Sequence, residues 1–100
     1  MSIKGSPYAR FKRSLETHRL PVVLAAAAEL NHVRVDDALE ILILMAHERD
    51  PRFDRAAVRW VGRLLTETPP MNLQDARFAL TLVEQLPACA ETLRRLARRR

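Results

Sequence analysis

The stretch Val35-Asp36-Asp37-Ala38-Leu39-Glu40-Ile41-Leu42-Ile43-Leu44-Met45-Ala46-His47 decides the fold. Asp36 and Asp37 open it, and acidic groups in a first turn complement the positive pole of a helix dipole. Ile41 to Ala46 is apolar on every side. A helix without a polar face is buried on most of its circumference, so this one belongs at the centre of the molecule. A strand is the competing reading, because Ile41 and Ile43 are β-branched. The polar flanks, Asp36 to Glu40 and His47 to Arg49, favour the helix.

Towards the C-terminus, Asp50-Pro51 reads as a cap followed by a helix-starting proline. Phe53, Ala57, Trp60, Val61 and Leu64 then share one face, while Arg52, Arg55, Arg59 and Arg63 line the opposite one. Thr66 to Pro70 ends that helix, since successive prolines cannot continue it. Asn72 and Asp75 resemble a capping box opening a fifth helix. Its expected core face is Leu73, Ala76, Leu80 and Val83, widened by Ala79, Leu82 and Leu86. After Pro87, a last helix turns Cys89, Leu93, Leu96 and Ala97 inward, with Arg94, Arg95, Arg98, Arg99 and Arg100 at its negative pole.

Towards the N-terminus, Ser6-Pro7 starts a first helix expected to end near His18. Tyr8, Phe11 and Leu15 form its apolar face, and Arg10, Lys12 and Arg13 lie opposite. Pro21 restarts the chain. Val23, Leu24, Ala27 and Ala28 make the next apolar stripe, closed by Leu30, with Asn31 suited to a left-handed helix end.

These segments predict one all-α domain over residues 1–100, a compact bundle of five to six short helices. Residues 1–5 read as a flexible N-terminus and 97–100 as a frayed basic tail. Stacked helical hairpins are the alternative. The segment Val33 to Ala38 matches Met71 to Ala76 in pattern, and Leu42 then pairs with Leu80, Met45 with Val83 and Trp60 with Leu96. That spacing lies in the range of helical-hairpin repeats.

Composition agrees. The chain of 100 residues is 48% hydrophobic and 29% charged, which is globular rather than disordered. It has two glycines and no Asn-Gly or Asp-Gly pair, so tight hairpins between strands are not encoded. The net charge is +5 and nearly all the cations are arginine. Phosphate binding and a GC-rich genome both explain that bias. The single Cys89 excludes an internal disulfide and suggests a reducing compartment, so a cytoplasmic location is expected. No apolar run approaches the roughly 20 residues that span a bilayer. The basic start followed by Pro21 to Ala28 has the outline of a signal peptide. The charged stretch ahead of it, however, is long and has a helical pattern of its own.

Over most of the chain, Arg34-Val35-Asp36-Asp37-Ala38-Leu39 and Asp50-Pro51-Arg52-Phe53-Asp54-Arg55-Ala56-Ala57-Val58-Arg59-Trp60 included, the sequence resembles short uncharacterised all-helical proteins of actinobacteria. The resemblance implies an intracellular all-α protein from a GC-rich genome. It transfers no activity and no site.

Catalytic signatures are missing. His18, His32 and His47 do not stand at metal-ligand spacing, and His47-Glu48 departs from the zinc-protease motif because Pro51 occupies the second histidine position. No glycine-rich loop cradles phosphate. Glu29, Asp36, Asp37, Glu40, Glu48 and Asp50 fall on polar faces or helix ends. No catalytic, cofactor or metal residue is therefore expected, and no enzymatic activity. The candidate binding residues are Arg52, Arg55, Arg59, Arg63, Arg94, Arg95, Arg98 and Arg99. The expected role is a protein-interaction module that docks an acidic partner surface or associates with itself, as in a homodimer. The alternative is nucleic-acid binding through arginine contacts to backbone phosphates, non-specific because the third helix is too apolar to lie in a groove. No membrane partner is expected.

Overall fold

The computed structural model describes residues 5–68 and 70–98. Its helices run α1 Pro7–Leu15, α2 Leu20–Ala27, α3 Val35–His47, α4 Phe53–Glu67, α5 Leu73–Glu84 and α6 Ala90–Ala97. The described residues contain no strand.

Helix α3 is the centre of the molecule: from Val35 to Ala46 no residue is exposed. It packs on α4 and α6, α4 packs on α5, and α5 on α6. The result is a closed ring of four helices around Leu39, Leu42, Trp60, Leu64, Ala79 and Leu93. The buried Trp60 indole N–H donates to the Val35 carbonyl at 2.8 Å, which satisfies the one polar atom of that ring system. Contact of α6 with α3 closes these four helices into one bundle. The positions equated by the apparent repeat also differ, since Leu42 is buried and Leu80 is 45% exposed.

The α1–α2 hairpin sits outside the ring. Helix α1 packs on α2, and α2 on α3. Phe11, Leu20 and Val23 are buried there but lie outside the continuous core of the ring. The molecule measures 46 × 29 × 20 Å, elongated rather than spherical.

Capping chemistry placed several boundaries. Ala9 N–H donates to Ser6 Oγ at 3.0 Å at the start of α1. Asp75 N–H donates to Asn72 Oδ1 at 2.8 Å, and Asn72 N–H returns to Asp75 Oδ2 at 3.2 Å, completing the capping box.

Other expectations are corrected. Helix α1 ends at Leu15, and a turn carries the chain to His18, whose φ is 55°. Among the described residues the left-handed positions are His18 and Arg49, not Asn31. Helix α2 closes without one because Glu29 and Leu30 N–H donate to the Ala26 and Ala27 carbonyls in tight three-residue turns. Asp50 caps a turn rather than α4: its Oδ1 accepts from Arg52 N–H at 2.8 Å, and the helix begins at Phe53. Helix α5 buries Ala79, Leu82 and Val83, whereas Leu73 is 72% exposed. Its apolar residues cover more than one side, and contact with α4 and α6 selects which side is hidden. Cys89 stands at the N-cap of α6, half-buried, its thiol donating to Gln85 Oε1 at 2.9 Å. Ala97 is buried, so no basic tail begins before Arg98. Arg99 and Arg100, with residues 1–4 of the expected flexible N-terminus, lie outside the described residues.

Candidate functional site

The chain is basic at both ends and acidic between, and folding brings these parts together. Arg10 meets Glu29 at 2.7 Å, Lys12 meets Asp37 at 3.3 Å, and Arg94 grips Glu40 through two bonds of 2.8 and 2.9 Å. Both terminal segments thus neutralise acids of α3 and its approach. The fork-to-carboxylate geometry of Arg94 is the strongest of these contacts. The hydrogen bond to Glu40 raises the Arg94 pKa. Burial pushes the Lys12 ammonium down, but the charge and hydrogen bond of Asp37 outweigh it and hold the pKa above its ordinary value. Asp37 is almost fully buried, and its second carboxylate oxygen has no partner.

Internal pairing divides the eight candidate arginines. Arg52 folds back on Asp50 with bonds of 2.9 and 2.8 Å, and this hydrogen bonding lowers the Asp50 carboxyl to about 2. Arg63 binds Glu67 at 2.8 Å and the Val33 carbonyl at 2.6 Å, tying the entry to α3 onto α4. Its hydrogen bond holds the Glu67 pKa below the usual carboxylate value. Arg94 is held by Glu40, and Arg98 reaches Glu91 at 3.7 Å. Arg99 lies outside the described residues. Arg55, Arg59 and Arg95 are exposed and make no ion pair or side-chain hydrogen bond. The stripe read from the sequence is therefore two engaged arginines flanking two free ones.

The free Arg59 borders a concavity. Between α3 and α4 runs an open groove of about 180 Å³, lined by Val33, Ile41, Met45, Ala56 and Trp60, with Ala38 and Leu42 at its base. Arg59 and Arg63 are its charged lining residues, and no acid lines it. Its origin is local. Ala38 and Ala56 are too small to fill the space between the two helices, and Ile41 beside them is half-buried. Sequence reading found the arginines and missed the groove. The alternation of small and large residues on facing helices was the available signal.

Other chemistry is dispersed. His18, His32 and His47 are all exposed. Among the described residues no three His, Cys, Asp or Glu side chains gather as metal donors, and no helix is long and apolar enough to cross a membrane. Comparison with protein-family models, with curated proteins and with solved structures found no match in any of the three.

Proposed function

We propose that this protein is a non-catalytic docking module whose α3–α4 groove takes an acidic amphipathic helix from a partner protein. One observation carries the reading: an apolar groove edged by two arginines, with no acid among its lining residues. Helix-in-groove recognition uses anchors spaced at i, i+3 or i+4 and i+7, and here carboxylates beside those anchors would meet Arg59 and the outer part of Arg63. A charge at the rim steers encounter and partner choice, and its reversal sets like charges against the partner's carboxylates, which costs affinity. The same proposal places the protein in the cytoplasm, where the lone Cys89 stays reduced.

Trp60 lines the groove and is the only tryptophan, so its emission reports occupancy. Titration with a leucine- and glutamate-rich helical peptide is expected to shift that emission. A lysine-substituted version of the peptide is expected to leave it unchanged. Arg59→Glu is expected to weaken binding at least tenfold, about 1.4 kcal/mol. An unchanged Trp60 signal up to about 1 mM peptide refutes the proposal, since weaker affinities carry little specificity.

Nucleic-acid binding draws less support, because carboxylates hold Arg52, Arg63, Arg94 and Arg98. A gel shift at about 50 mM salt that vanishes by about 200 mM would favour it over peptide docking.

A further inference from the structure

We propose that a second copy of this chain covers the outer face of the α4–α5 hairpin, forming a two-fold dimer whose axis runs along α4. Four apolar side chains stand exposed on this hairpin: Val58 at 68%, Leu73 at 72%, Phe78 at 49% and Leu80 at 45%. Phe78 falls on the side of α5 away from Leu80 and is not part of this face. Val58 and Leu80 line one shallow depression together, with Phe53 and Ala57 at its floor. Single exposed apolar residues are ordinary, but a shared depression is the form of an interface.

Charge identifies the occupant. At 3.6 residues per turn, Asp54, Val58, Arg55 and Arg59 follow one another across the exposed side of α4. Asp54 lies on the edge next to α5, where Glu84 joins it around the depression. Arg55 and Arg59 occupy the far edge, where they line a second depression with Asp54 and Val58. None of these four charged groups makes an ion pair or side-chain hydrogen bond within the chain. Across the outer side of α4 the order is thus acidic at Asp54 and Glu84, apolar at Val58 and basic at Arg55 and Arg59, with the charges balanced. A two-fold axis parallel to α4 turns one copy's acidic edge onto the other's basic edge. Arg55 of each copy then meets Asp54 and Glu84 of the other, and Val58 meets its own counterpart. Such a contact is isologous and closes at two copies. A foreign acidic or basic partner would match only one edge.

This inference is independent of the α3–α4 groove. Arg59 borders both surfaces, so the test uses Arg55 and Asp54. Sedimentation of the full chain, of monomer mass 11.5 kDa, is followed from about 1 μM to about 1 mM, the range where weak to moderate dimers populate. Wild type is expected to move from one copy to two. Arg55→Asp alone and Asp54→Arg alone place like charges opposite each other and are expected to stay monomeric. An equimolar mixture of these two variants restores both contacts and is expected to form a heterodimer. Val58→Glu is expected to remain monomeric while circular dichroism and melting are unchanged, because Val58 is exposed in the monomer. A wild type that stays monomeric throughout overturns the proposal. So does a Val58→Glu variant that dimerises like wild type, or a mixture that stays monomeric.

Discussion

The α3–α6 ring and the α1–α2 hairpin are both built from short helices that hide apolar side chains, but only the ring shares one continuous core. Leu39, Trp60, Leu64 and Leu93 pack against one another from three helices, so removing any one affects the others. The hairpin buries Phe11, Leu20 and Val23 among themselves and against α2's contact with α3. The Lys12–Asp37 pair also ties it to α3. The difference lies in how many elements each buried side chain serves. Cooperative unfolding should follow that division.

The largest test compares two truncations at fully buried positions, Leu64 and Phe11. Leu64→Ala is expected to cost about 3–5 kcal/mol and to lower the melting of the whole chain, since the cavity opens at the centre of the ring. Phe11→Ala removes more atoms, yet its loss should be confined to the hairpin. Hydrogen exchange would show amides of α1 and α2 unprotected while those of α3 and α4 remain slow. If Phe11→Ala lowers ring protection as far as Leu64→Ala does, the two regions are one cooperative unit and the distinction fails.

A middle-sized test addresses the tie itself. Lys12→Met keeps the aliphatic stem and leaves the buried Asp37 without its cation. A buried group left unsatisfied costs about 1–3 kcal/mol, and here the loss should appear as faster exchange in α1 and α2. The pH dependence has a definite sign. The Lys12 pKa is raised in the folded protein, so its contribution is complete below the ordinary value of 10.5 and is lost as pH rises through the higher folded value. Hairpin protection in wild type should therefore fall in strong alkali. In Lys12→Met that step should be absent, and a persisting step would assign it to another group.

How much of this was legible beforehand follows the same line. The ring's inner helix announced itself, because six apolar residues in succession from Ile41 to Ala46 leave only a buried position. The face of α4 was also readable, since Ala57, Trp60, Val61 and Leu64 fall on one stripe and all are buried. Helix α5 was misread because its apolar residues exceed one stripe, and periodicity alone cannot choose between Leu80 and Ala79. Only the neighbouring helices decide. The arginines were visible, but their partners were not. Arg94 and Glu40 are 54 residues apart, and Arg63 takes the Val33 carbonyl across 30 residues. Long-range pairing is a property of topology, so sequence counted eight candidate arginines where the fold leaves three described ones free.

The smallest test sharpens the contrast from the ring's side. Gly62 lies on the exposed surface of α4, within the helix rather than at a turn, and a Cβ built there meets nothing within 4 Å. Neither Gly62 nor Gly5 has a positive φ, so Gly62 has no conformational need to be glycine. Gly62→Ala restricts the unfolded chain and introduces no clash, which should stabilise by about 0.5–1 kcal/mol. At roughly 4–8 °C per kcal/mol for a domain of this size, dilute monomeric protein should melt a few degrees higher. The gain belongs to global unfolding of the ring. Amides in α3 and α4 that exchange only through that unfolding should slow severalfold, while those of α1 and α2 keep their rates, because they open without it. Equal slowing in both regions would mean that the hairpin unfolds only when α4 does, and the Lys12–Asp37 tie would then be stronger than its half-exposed cation suggests.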